Sequence, residues 1–351
     1  MRLQHTCHLA NKYLKLTVPS GPCFEHIGAC AGPYPRGNAG RKGEGQPYGQ
    51  ARGHPGEATT AGNTTPAVLM TAEQRAAFDR DGYLIIRGAL GPDEAAAARE
   101  AIDRVYASMA RAGSLGPDGS MHQLSAVTHC PEVACLTDHP ATFGHVWSVL
   151  GWNIHIYQSH LDVHPPIRVP MPFRFDWHQD GGRRNRELET TPRPRLSVKL
   201  AYWLSDVSAP GRGNLKVVPG SHLTNWIDGP PRRDIRWPDP DGAVEVTAGP
   251  GDAVFFDRRI WHTRSRNHSG HTRKAVFFGY TYRWTAIRDD IAPIRASDWL
   301  GRLTPVQQQL LGGAEDLGGD HAWGHYPEDT PLYGWLKERG LLVPANPPLK
   351  P

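Results

Sequence analysis

No run of about 18 apolar residues occurs in the 351-residue sequence, so nothing in it reads as a membrane-spanning helix. Cysteine is scarce: Cys7, Cys23 and Cys30 stand early, and only Cys130 and Cys135 follow. Five cysteines so placed are no disulfide framework, and a lone CxxxxC pair is too little for a zinc site, so a reducing cytoplasm is the expected compartment. Neither a GxGxxG turn nor a P-loop lysine motif is present, which removes the common nucleotide-binding classes. Charge of one sign is also missing where it would matter. The net charge of +4 comes from the first 69 residues, with seven Lys/Arg against three Asp/Glu, while the remainder is balanced at 32 against 32. A balanced main body creates no field that would gather nucleic acid, and an oxygenase acting on nucleic-acid bases would need a basic groove with stacking aromatics. The expected partner is therefore a small molecule, not nucleic acid and not a membrane.

What is present divides unevenly. Residues 1–67 are rich in Gly, Pro, His and Thr, contain no Trp and show no apolar period beyond KYLKLTV. They are expected to be a disordered extension, or one created by a start codon placed too early, with a single domain over 68–351. No signal-peptide core or twin arginine accompanies the early charges. Order begins at Thr71-Ala-Glu-Gln74, a capping box opening a helix that Gly82 stops. A short strand at 83–87 follows, then an alanine-rich helix from Pro92 to about residue 112, acidic at its start and basic at its end. The stretch 113–139 shows no clear pattern, and 140–150 reads as a further helix.

From Trp152 the apolar period becomes two. Residues 153–163 alternate, with Gln158, His160 and Asp162 on one parity, which fits either the wall of a wet pocket or an exposed face. Further strands are expected in LSVKLAYWLSD, in NLKVV, at 244–247, at 252–257 and at 274–282, with Gly/Pro turns between them. Thr304-Pro305 caps a helix in a C-terminal region, 285–351, that could cover a pocket mouth. Some seven strands at short spacing, with the helices gathered early, predict a mainly β jelly roll with flanking helices.

The chemistry concentrates in FRFDWHQDGG, residues 173–182. On an extended strand, His178 and Asp180 would point to one face about 6 to 7 Å apart and could share a metal ion. His262, 82 residues beyond Asp180 in DAVFFDRRIWH, is the best third donor. Two imidazoles and one carboxylate on one octahedral face are the ligand set of non-haem Fe(II) oxygenases. A lone HxD is weak, because a chain with 18 histidines produces such pairs by chance.

The ordered series TAEQRAAFDRDGYLIIRGAL, WHQD, GNLKVVPGSH and GDAVFFDRRIWHTRSRNHSGHTRKAVFFGYTYR, from Thr71 to Trp284, is far more specific. It resembles the phytanoyl-CoA dioxygenase family of Fe(II)- and 2-oxoglutarate-dependent oxygenases. The resemblance implies a double-stranded β-helix (jelly-roll, cupin-like) core, with Fe(II), 2-oxoglutarate and O2 as the reactants the site holds. It implies His178, Asp180 and His262 as iron ligands and Arg273 as the partner of the distal 2-oxoglutarate carboxylate. A guanidinium fork suits a carboxylate in a way that a lysine does not. Positions that approach the cosubstrate in relatives correspond to Phe175, Gln158 and Ser197. Many members carry Ser or Thr two residues past the distal histidine, where this chain has Arg264; either Arg264 supplies that contact with a charge, or Thr263 or Ser265 takes it over. A carboxylate at Asp180, where halogenases of the superfamily carry Ala or Gly, points to hydroxylation or another C–H oxidation, yielding succinate and CO2. The alternative from another class is a non-catalytic jelly roll that binds a metal or ligand. Candidate substrate contacts are His160, Asp162, the segment HPPIRVPMP, the arginines 183, 184 and 186, and the C-terminal region, with an amino-acid-like or natural-product metabolite preferred.

Overall fold

The computed structural model describes residues 68–168, 177–181, 184–227, 239–313 and 330–342. The expectations for 1–67, Phe175, Arg183, much of HPPIRVPMP and the segment 314–329 lie outside these residues.

Local signals set the helices at the start. In α1 (Ala72–Asp81) the Thr71 hydroxyl accepts from the Gln74 amide at 3.2 Å, and the Gln74 side chain accepts from the Thr71 amide at 2.9 Å. Gly82 ends it with φ 82°, a left-handed conformation that favours glycine. Then come β1 (Tyr83–Ile86), α2 (Pro92–Arg111), β2 (Met121–Leu124), α3 (Ala126–His129) and α4 (Phe143–Leu150). The stretch without a sequence pattern thus holds a short strand, a single helical turn and a 3-10 segment at Pro131–Leu136. Each is too short to show a period. The strands continue with β3 (Ile154–His164), then, after the turn α5 (Arg184–Glu187), β4 (Ser197–Trp203), β5 (Leu215–Val217), β6 (Val244–Glu245), β7 (Ala253–Asp257), β8 (His262–Arg264) and β9 (Arg273–Tyr282). Three helices close the described chain, α6 (Ala292–Arg295), α7 (Pro305–Leu310) and α8 (Pro331–Glu338).

Six strands form the major sheet in the order β1-β7-β4-β9-β3-β2, and three form the minor sheet, β6-β5-β8; every pairing is antiparallel. These sheets are the two walls of the jelly roll that the strand spacing predicts. Register explains why β4 reads as a nearly continuous apolar run: both of its faces are covered. Leu200, opposite Phe255 and Phe278, faces a core shared with the helices, where Phe78 stacks on Phe255 with ring centres 4.7 Å apart. Ala201 and Trp203 face the other way, joining Val254, Phe256, Ala275 and Phe277 in a core shared with Leu215, Val217 and Ile260. Lys199 is the one charged side chain in this run, and its parity points it inward with Ala201.

Residues 177–181 depart from the expected ligand strand. They make one antiparallel bridge, His178 to His262, and turn at Asp180. The two backbones are joined by His178 N to His262 O at 3.0 Å and His262 N to His178 O at 2.9 Å.

Candidate active site

The bridge brings His178 onto the first residue of β8, and a braced turn fixes that strand. Buried Asp257 at the end of β7 accepts from Arg195 and Arg259, each at 2.7 Å, which locks the corner leading to His262. Asp180 is pinned by its amide to the Arg258 carbonyl at 2.9 Å. Gln179 points away, as alternation expects, but into a buried network. Its amide donates to the carbonyls of Thr224 and Arg259 and its oxygen accepts from Arg193.

The outcome is a cluster of three donors within 4.8 Å of one another. His178 Nε2 lies 4.0 Å from Asp180 Oδ1, and His262 Nε2 lies 3.8 Å from Asp180 Oδ2. His262 Nδ1 is 2.9 Å from the Ile260 carbonyl, which can only accept, so the proton sits on Nδ1 and the Nε2 lone pair faces the cluster. Burial and the neighbouring His178 lower the His262 pKa to about 3, keeping the ring neutral as a ligand must be. Burial opposes charge on Asp180, yet Lys199, His262 and His178 outweigh it and hold the carboxyl below the usual range. Two imidazoles and one anionic carboxylate, held on backbone that is bonded to its surroundings, are chemically fit for a divalent iron with positions left open.

A second group lies deeper along the major sheet. Arg273, at the start of β9, is 3% exposed; its guanidinium lies over Trp203 at 4.6 Å and Phe277 at 5.5 Å. Its Nη1 donates to Asp162 Oδ2 at 3.0 Å, and Asp162 Oδ1 lies 2.6 Å from His122 Nδ1. His122, His160 and Asp162 also lie within metal-sharing distance of each other. Here, however, Arg273 already occupies the carboxylate. Burial and the nearby Arg273 bring the Arg264 pKa down to about 9, so at neutral pH two guanidiniums sit beside the group. A divalent cation is opposed there, and an anion is favoured.

The polar row of β3 is therefore not an exposed face: His160, Asp162 and His164 are all buried. Gln158 shares that parity, but its oxygen accepts from Arg288 at 3.1 Å. Ser197 is buried on the inward parity of β4, beside the Tyr157 hydroxyl. Two residues near the cluster escaped the sequence reading. Lys199 Nζ is 2.8 Å from Asp180 Oδ2, with its side chain 8% exposed. Tyr157 sits at a register shift in β3, between Ile156 and Gln158, which turns its ring over Gly279; a Cβ on that glycine would meet the ring at 2.7 Å. Its hydroxyl feels Asp180 and Lys199. For Lys199 the signal was there, a charge inside an apolar strand. For Tyr157 there was none, because the bulge does not show in the residue types.

Residues 78–275 match the profile of the phytanoyl-CoA dioxygenase family. The chain belongs to that family. Among curated relatives it is 25% identical over 262 residues to the ectoine dioxygenase of Nocardia farcinica, covering 66% of this chain and 84% of that one. It is 27% identical over 245 residues to the ectoine dioxygenase of Stutzerimonas stutzeri, covering 62% and 79%. The crystal structure of HygX from Streptomyces hygroscopicus with nickel and 2-oxoglutarate bound shares the fold, with a TM-score of 0.51 at 20% identity over 63% of this chain and 90% of that one. This member of the phytanoyl-CoA dioxygenase family is an Fe(II)- and 2-oxoglutarate-dependent dioxygenase. It oxidises a small-molecule C–H bond with O2 and releases succinate and CO2. Among the described residues, no helix is long and apolar enough to cross a membrane.

Proposed function

We propose that His178, Asp180 and His262 hold the iron and that Arg273 receives the distal carboxylate of 2-oxoglutarate. The observation that carries this is the meeting of the three donors on a backbone bridge, with the correct nitrogen of His262 turned inward. Bound Fe(II) supplies the activation of O2; the protein's part is to place the reactants around it. The site has a closed end and an open one. Arg273 is 3% exposed, whereas the His178 side chain is 49% exposed. Cosubstrate fits the closed end, where aromatic walls exclude water and strengthen a charge-assisted pair. Substrate fits the open end, over His178. Lys199 lies against Asp180, with the Tyr157 hydroxyl near both and Ser197 beside that hydroxyl. Arg264 takes the place of a neutral hydroxyl at the anchor and adds a second positive charge, which Asp162 partly offsets. The substrate we favour is a small polar metabolite, in keeping with relatives named ectoine dioxygenase.

Anaerobic loading with Fe(II), followed by a screen of amino-acid-like and natural-product metabolites for stimulated succinate release, tests the proposal. Stimulation by one compound class, lost in His178→Ala and in Arg273→Ala, is expected. Iron binding without any 2-oxoglutarate turnover would contradict it.

A further inference from the structure

The arginine proposed as the cosubstrate anchor is already in contact with a carboxylate of its own chain, and the geometry of that contact is informative. A guanidinium presents five N–H groups, and a carboxylate that occupied it fully would take two of them in parallel. Asp162 does not do this. It meets only Nη1, at 3.0 Å. Nε of Arg273 is buried with no hydrogen-bond partner among the described residues. The Nε–Nη2 edge, the side of the fork away from Asp162, is therefore left for another acceptor, and a buried donor without one is costly. Asp162 is itself held: His122 Nδ1 is 2.6 Å from Oδ1, while His164 Nε2 and His160 Nε2 lie 3.6 and 3.9 Å from Oδ2. Burial works against charge on Asp162, but His160, His122, His164 and Arg273 outweigh it, so the group is an anion at neutral pH.

We infer that Asp162 is a positioning residue for cosubstrate binding: it grips one arm of Arg273 so that the open edge of the guanidinium faces the distal carboxylate of 2-oxoglutarate, and His122 steadies Asp162 from the neighbouring strand. This rests on Arg273 being the anchor. The pair Asp162–Arg273 is neutral, and Arg264 beside it leaves one net positive charge, which a single carboxylate cancels. The rival role is that of a placeholder, in which Asp162 sits where the cosubstrate carboxylate must go. The two roles predict opposite signs.

Calorimetric titration of the anaerobic Fe(II)-loaded protein with 2-oxoglutarate, and with 2-oxovalerate, which lacks the distal carboxylate, separates them. Asp162→Ala is expected to weaken 2-oxoglutarate binding about tenfold, or about 1.4 kcal/mol. Binding of Fe(II) and of 2-oxovalerate should stay unchanged. Asp162→Asn keeps an oxygen for Nη1 and should restore most of the loss. Tighter or unchanged 2-oxoglutarate binding in Asp162→Ala overturns the inference. If that variant does not fold, His122→Ala decides, because the His122 side chain is 54% exposed: two- to fivefold weaker binding supports the role and unchanged binding overturns it. Failure of the anchor itself reads differently, as unchanged 2-oxoglutarate affinity in Arg273→Met.

Discussion

A lysine against the carboxylate proposed to hold iron is a test of how charge is balanced at single residues. Lys199 and Asp180 are 8% and 15% exposed, and removing one partner of such a buried pair costs roughly 3–5 kcal/mol because the other charge is stranded. Iron bound by Asp180 would provide a substitute positive charge. Lys199→Met is therefore expected to melt well below the wild type without metal, with the gap narrowing when Fe(II) is added; an unchanged gap would show that Asp180 does not take up the metal. Gln179→Ala should act differently. Its side chain bridges Thr224, Arg259 and Arg193, so its loss should cost roughly 1–3 kcal/mol of stability while the folded fraction keeps its iron.

At the level of elements, the site depends on one irregularity in β3. The bulge at Tyr157 frees that residue's carbonyl to accept from Arg288 at 2.7 Å and swings its ring over Gly279 toward Asp180 and Lys199. Gly279→Ala should destabilise by roughly 1–3 kcal/mol and reduce turnover, since the new methyl collides with the ring. Gly301→Ala, where nothing lies within 4 Å, is the control and should change the urea midpoint little. What the sequence revealed follows the same division. Thr71 and Gly82, or Thr304 and Pro305, act within four residues of chain, so α1 and α7 were legible from their caps. The alternation of β3 and the apolar run of β4 were legible because each strand's faces are uniformly covered. The bulge, the turn at Asp180 and the inward placement of Lys199 beside it depend on contacts between strands far apart in sequence, and no local pattern carries those.

Across the whole molecule, the buried imidazoles set a pH limit. Burial lowers His155 and His164 to about 4 and His160 and His262 to about 3, from an ordinary 6.5. Between those values the unfolded chain binds a proton at each that the folded chain refuses, so stability is full above 6.5 and falls as pH drops below it. Each imidazole adds a slope of about 1.4 kcal/mol per pH unit. The urea midpoint without metal should thus decline steeply from pH 7 to pH 5; a flat profile would mean that these rings are not held neutral. Among the described residues two groups are able to share a metal, His178/Asp180/His262 and His122/His160/Asp162, and the proposed site turns on the first being the iron centre and the second an anion's surroundings. Anaerobic Fe(II) stoichiometry in single alanine variants of both groups separates them most directly. The expected result is one iron per chain in the wild type, His122→Ala and His160→Ala, and little in His178→Ala, Asp180→Ala and His262→Ala. Iron retained in the second set, or lost in the first, would contradict it.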